Sequence, residues 1–169
     1  MRRPIAIALA GLFAAAALAQ QPEVRASVHY APAENLERMD VALIGRATRT
    51  LDIAAYVLTD VPVIHALRDA ALRGVSVRLY RDANDTRAAG VVAAALDELA
   101  PAGVAIKFKP GRVYMHLKSY AVDRAILRAG AANFSASGLK NQNNDLVIIV
   151  DPAQVAAFET MFEGLWSRP

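Results

Sequence analysis

The amino-acid sequence predicts an α/β fold: a mixed, largely parallel β-sheet sandwiched between helices. Two observations predict it. Short apolar runs of strand character alternate along the chain with stretches of helical periodicity, as in strand–helix–strand units. Two strand-like runs also follow one another directly across a tight turn at Asp123 and Arg124, which adds an antiparallel hairpin and makes the sheet mixed.

The elements follow in order. Val24 to Tyr30 alternates apolar and polar residues as a first strand, and Pro32 breaks it. Asn35 caps a helix to about Thr48, with Leu36, Met39, Ala42 and Leu43 on one face. Leu51 to Leu58 is a compact apolar run suited to a strand buried on both faces. Asp60 and Pro62 open a helix through Arg73, ended by Gly74, and Val75 to Tyr80 is the next strand. Arg81 to Arg87 is polar and reads as a loop. A helix over Ala88 to Leu99 stops before Pro101. Val104 to Phe108 and Tyr114 to Val122 are strands flanking a turn at Pro110 and Gly111. Ile126 to Asn133 is a strand, Ser135 to Asn144 a loop and Asp145 to Val150 a last strand. Asp151 and Pro152 start a closing helix whose Val155, Phe158, Met161, Phe162 and Leu165 point inward.

Met1 to Ala19 has the layout of a secretion signal: Arg2 and Arg3, an uncharged apolar run, then the small-x-small pattern Ala17-Leu18-Ala19. The expected organisation is a signal peptide over 1–19, with an uncleaved membrane anchor as the rival reading, and one domain over 20–169, periplasmic or secreted, with no stable membrane span after cleavage. The apolar run falls short of the ~20 residues that cross a bilayer. Losing Arg2 and Arg3 takes the 19 basic residues to 17, against 16 acidic ones. So balanced a charge is no nucleic-acid signature by itself, and any anion-binding surface must be local. The absence of cysteine excludes a thiol nucleophile and a thiolate metal site.

Chemistry concentrates after residue 114. Strand alternation puts His116, Lys118 and Tyr120 on one face. An imidazole beside an ammonium suits an anionic substrate: the lysine neutralises a phosphate oxygen, and the imidazole attacks phosphorus or moves a proton. Gly130 allows close backbone approach and Asn133 offers an amide donor. Asn143-Asn144-Asp145 supplies a carboxylate that can accept a histidine Nδ1–H and leave Nε2 free for attack. Asp123 suits a turn as well as a site. Lys107, Lys109 and Arg112 read either as a substrate-facing basic rim or as a solvated strand end.

This constellation resembles the phospholipase D superfamily, whose signature is His-x-Lys, four residues, Asp, six residues, then Gly-Ser-x-Asn. His116, Lys118, Asp123, Gly130 and Asn133 match it in type and spacing, and Asn143-Asn144-Asp145 looks like the downstream Asn-x-acid element. Leu51 to Tyr56 and Arg73 to Arg78 resemble core strands and an Arg-Gly-Val turn. One position departs: Ala131 stands where the family usually has a phosphate-binding Ser.

The resemblance implies a phosphodiesterase working through a phosphohistidine at His116. Lys118, Gly130 and Asn133 would bind the phosphate, with catalytic positions at His116, Lys118, Asp123 and Asp145. Neither a metal nor any other cofactor is expected. A single motif, in the manner of secreted bacterial endonucleases, implies a homodimer in which both copies of His116 share one site. The expected substrate is DNA or RNA. A phospholipid head group is the alternative, since it shares the phosphodiester. A non-catalytic anion-binding module is a third reading, favoured only by Ala131.

Overall fold

A computed structural model describes residues 25–83 and 88–168. The expected signal segment over 1–19 and most of the expected loop over 81–87 lie outside the described residues.

Seven strands form one sheet: β1 (Arg25–Ala31), β2 (Thr50–Ala55), β3 (Ser76–Asp82), β4 (Ala105–Lys109), β5 (Lys118–Val122), β6 (Ile126–Ala129) and β7 (Asn144–Val150). Their order across the sheet is β1-β7-β6-β5-β2-β3-β4. The helices are α1 (Leu36–Gly45), α2 (Val61–Leu72), α3 (Val91–Asp97), α4 (Ala136–Lys140) and α5 (Pro152–Trp166).

The mixed sheet between helices is as expected, with a different balance of pairings. β2 pairs in parallel with β3, and β3 with β4, while β5, β6, β7 and β1 join through antiparallel pairs. Only β5 and β7 run against the rest, so the C-terminal ends of β1, β2, β3, β4 and β6 meet the N-terminal ends of β5 and β7 along one edge. The hairpin at Asp123 and the return through β7 account for the antiparallel share.

Local chemistry explains the helix boundaries. Asn35, Asp60 and Asp151 each accept the backbone N–H three residues on, from Arg38, Val63 and Gln154. Pro62 and Pro152 sit in first turns, where a missing N–H costs nothing. Gly74 takes φ 90° to end the second helical unit. The buried face of α1 is Leu36, Asp40, Leu43 and Ile44, not the expected one: Met39 is half-buried and Ala42 exposed.

Two cores hold the layers together. The larger lies between the sheet and α1 and α2, around Leu36, Ile44, Leu51, Ile53, Ile64, Leu67 and Leu79. The smaller lies under α5, where Phe158 and Phe162 pack on Ala54, Tyr80, Ala121 and Leu127. Phe158, Phe162 and Trp166, expected as core or dimer contacts, thus include two buried core residues.

Three boundaries differ at the edge where β5 and β7 begin. β5 starts at Lys118 rather than Tyr114, because the Met115 N–H is donated to Asp82 Oδ2 at 2.5 Å instead of to a strand neighbour. β6 ends at Ala129 rather than Asn133. Gly130 turns the chain at φ 132°, and a Cβ there would lie 2.6 Å from the Asp145 carbonyl oxygen. Ser135, expected in a loop, instead caps the short α4 by accepting the Gly138 N–H.

Candidate functional site

The sheet edge that collects these strand ends is where His116, Lys118 and Asp145 lie. His116 stands just before β5 with its side chain exposed, freed from the ladder by the Met115–Asp82 bond. Its ring lies 4.2 Å, centroid to centroid, from the ring of Tyr56 at the end of β2. Lys118, the first residue of β5, is buried, and its ammonium sits 2.9 Å from His116 Nδ1 and 2.7 Å from the His116 carbonyl oxygen. Burial and the nearby Arg128 charge hold the Lys118 ammonium below its ordinary range. The cation therefore has unspent attraction for an anion placed beside His116.

The segment that carries Asn133 crosses next to it. The Thr59 and Asp60 N–H groups donate to the Phe134 carbonyl at 2.8 and 2.9 Å and anchor that segment to the start of α2. The Asn133 amide oxygen is buried with no hydrogen-bond partner among the described residues, so the fold leaves this end of the side chain uncommitted. Gly130 does what its residue type promised, in letting β6 turn against the backbone of β7. Ala131 is exposed, and its N–H donates to Asp145 Oδ1 at 3.3 Å. Among the described residues no hydrogen bond joins Asp145 to His116. Asp145 is at the right edge, but the expected orienting contact is not made within this chain.

Asp123 lies at the other end of β5. It follows the last residue of β5, so the strand separates it from Lys118 by about 16 Å at ~3.3 Å per residue. Its carboxylate is filled by the connection from α1 to β2: it accepts the backbone N–H groups of Thr48 at 3.0 Å, Arg49 at 2.7 Å and Thr50 at 2.9 Å, and the Thr48 hydroxyl at 2.8 Å. Although partial burial opposes ionisation, those four donors together hold the carboxyl below the usual carboxylate range. The carboxylate thus anchors the connection from α1 to β2 to the end of β5.

Sequence reasoning missed two residues that support the site. Arg128 on β6 and Asp40 on α1 are both fully buried and form a two-pronged ion pair, with both nitrogen–oxygen distances 3.0 Å. Arg128 also donates to the Lys118 carbonyl at 2.6 Å and the Ala132 carbonyl at 3.2 Å, and Tyr120 donates its hydroxyl to Asp40 at 2.9 Å. One guanidinium thus ties the residue that carries the ammonium to the residue before Asn133. The available signal was a charge of each sign on an otherwise apolar face.

Of the basic residues before the motif, Lys107 donates to the Trp166 carbonyl at 2.7 Å, and Lys109 to the Val113 carbonyl at 2.5 Å. Lys107 therefore belongs to the end of α5, whereas Lys109 braces the connection from β4 to His116. Among the described residues no group of three His, Cys, Asp or Glu side chains assembles that could hold a metal ion.

A seven-stranded α/β domain whose strand-end edge presents a histidine and a lysine in contact defines the phospholipase D class. The chain belongs to that superfamily: residues 41–166 match the family "Cardiolipin synthase, PLD-like domain". Curated relatives include the mitochondrial cardiolipin hydrolases of Chlamydomonas reinhardtii, 28% identical over 73% of this chain, and of Xenopus laevis, 30% identical over 78%. The matches span 54% and 60% of those relatives' own lengths. In fold, the chain resembles the phospholipase D family member Nuc from Salmonella typhimurium, with TM-score 0.76, 23% identity and coverage of 85% of this chain and 95% of that one. It also resembles NucT from Helicobacter pylori, with TM-score 0.73, 20% identity and coverage of 85% and 96%.

Proposed function

We propose that the chain is a phosphodiesterase that cleaves nucleic acid through a covalent phosphohistidine at His116. The observation that carries this reading is the exposed His116 imidazole in contact with the buried Lys118 ammonium. In the first step an imidazole nitrogen attacks phosphorus in line, forming an N–P bond while the P–O bond to the leaving group breaks. A second imidazole gives its proton to the leaving oxygen. Water then breaks the N–P bond, and its proton goes to that second imidazole. Lys118 and Asn133 stabilise the charge on the phosphoryl oxygens as it builds.

The second imidazole is His116 of another copy, since one phosphorylated histidine cannot also serve as acid. His29 and His65 do not supply it: His29 hydrogen-bonds Glu34 and Ser27 on β1, and His65 lies within α2. A two-fold homodimer with one shared site follows. Asp145 is the proposed orienting carboxylate. The segment over 1–19 supports a secreted or periplasmic setting.

Nucleic acid is favoured by the cationic, aromatic approach to His116: no acidic residue lies between Glu98 and Asp123, and Tyr56 stands beside the imidazole with Tyr114 edge-on against Tyr56. The second reading, a phospholipid head group, is supported by the cardiolipin hydrolases among the relatives and by Val113, exposed to 75% near the site. The test is turnover of DNA, RNA and phosphatidylcholine by the mature protein in chelator. His116→Ala should fold normally and lose turnover by several orders of magnitude. Acid-labile, alkali-stable phosphate should be trapped on the wild type only. Undiminished turnover by His116→Ala would overturn the mechanism, and turnover of phosphatidylcholine alone would establish the second reading.

A further inference from the structure

The connection from β4 to His116 has a composition that packing does not explain. It runs Lys109-Pro110-Gly111-Arg112-Val113-Tyr114-Met115, and of these side chains only Met115 is buried in the core. Tyr114 is 58% exposed, yet it is not mobile decoration. Its ring meets Tyr56 edge-on at 5.6 Å and 72°, and Tyr56 in turn lies 4.2 Å from the His116 ring. Three rings thus form a continuous row that ends at the nucleophile. The row is held from below, because the Met115 N–H is fixed to the buried Asp82 and the Lys109 ammonium is drawn onto the Val113 carbonyl. Arg112 is exposed beside it, and the whole stretch between Glu98 and Asp123 lacks an acidic residue.

A row of rings edged by cations has a definite complement: an anion that repeats along a chain and carries flat apolar groups at the same repeat. A single nucleic-acid strand has both, and its bases present open faces that stack on aromatic side chains while its phosphates follow the cations. In a duplex those faces are covered by neighbouring base pairs. We infer that the β4–β5 connection is a lip that holds a single strand, with Tyr114 stacking on the base next to the phosphate at His116 and with Arg112 facing the adjoining phosphate. This rests on the phosphodiesterase reading above and narrows its substrate to unpaired nucleic acid. The rival occupant, an anionic lipid surface, would use the same side chains as an apolar wedge and would need bulk rather than flat rings.

That difference supplies the test. The mature protein is assayed on a fluorescent single-stranded oligothymidine, the same strand with abasic sites flanking one scissile phosphate, a duplex of equal length, cardiolipin-containing vesicles, and bis-p-nitrophenyl phosphate. The small diester reports the chemical step alone. Wild type should cleave the single strand best and lose about ten-fold or more in kcat/KM on the abasic strand, the scale of one lost base stack. Tyr114→Leu, which keeps bulk and loses the flat ring, should lose at least as much on the intact strand. Its loss on bis-p-nitrophenyl phosphate should be far smaller, and it should be insensitive to the abasic change. Tyr114→Phe should restore the intact-strand value. Equal cleavage of intact and abasic strands, or a Tyr114→Leu enzyme as selective as wild type, would overturn the inference while leaving the phosphodiesterase reading standing. Vesicle turnover that survives Tyr114→Leu, with no strand cleavage, would put a lipid surface on the lip. Failure to hydrolyse even bis-p-nitrophenyl phosphate would sink the phosphodiesterase reading itself.

Discussion

Asp123 shows how one residue can satisfy a sequence pattern and do work elsewhere. It matches the acidic position of the motif, yet its carboxylate sits at the far end of β5, where it gathers three backbone N–H groups and a hydroxyl from residues 48–50. Asp123→Ala should therefore cost stability more than chemistry. Four donors lose a charged acceptor, and about 1–3 kcal/mol of unfolding free energy is the expected loss, read by denaturant titration. Turnover per folded molecule should stay within a few-fold of wild type. The sign with pH is fixed by the lowered native value: the stabilisation is present above the ordinary aspartate range and is lost as pH falls through the native value. The positions that could be read ahead of the structure were those whose partners are close in sequence. His116 with Lys118, and Gly130 with Asn133, are spacings within one strand or turn. Asp40, 88 residues from Arg128, and Tyr56 against His116 are brought together only by folding, and no local spacing announces them.

Among the elements, α5 is packed in an unusual way. Beneath it Asp52 on β2 is almost wholly buried and is held by Arg78 at 2.6 Å, while Arg78 also pairs with Glu163 at 2.7 Å and lies over the rings of Phe162 and Trp166. Glu159 on the same helix has only 14% of its side chain exposed, and burial together with the Asp52 charge pushes its carboxyl up to about 7. A carboxyl raised in the folded state stabilises it while protonated. That contribution is full below the ordinary value of 4.5 and is lost as pH rises through about 7. The thermal midpoint should accordingly fall between pH 5 and 8, and Glu159→Gln should flatten that fall, as a melting series would show. A midpoint that is level for wild type, or equally steep for the variant, would mean that this carboxyl does not govern how α5 docks. The strands and helices themselves were legible because their apolar runs and caps are local. The burial of Asp52 was not, since an acid inside an apolar run looks like a polar interruption until Arg78 on the next strand is seen beside it.

For the molecule as a whole, the proposed chemistry needs two histidines and each chain contributes one suitable one. If the site straddles a two-fold axis, activity belongs to the pair. Mixing wild type with His116→Ala under exchange conditions should make activity fall as the square of the wild-type fraction, because mixed dimers hold one imidazole. A linear fall, or full turnover by protein shown to be monomeric at the assay concentration, would rule the shared site out.

The buried pair of Arg128 and Asp40 bears on how such a domain can change over time. Each charge is tolerable only because the other is present, and removing one partner of a buried pair typically costs about 3–5 kcal/mol, a large share of a small domain's stability. Single steps away from the pair are therefore closed, while a joint step to two neutral side chains of similar volume is open. The same guanidinium holds the carbonyls of Lys118 and Ala132, so any such exchange would also release the backbone on both sides of the site. The link between stability and chemistry is therefore held at two positions, Arg128 and Asp40, that must change together.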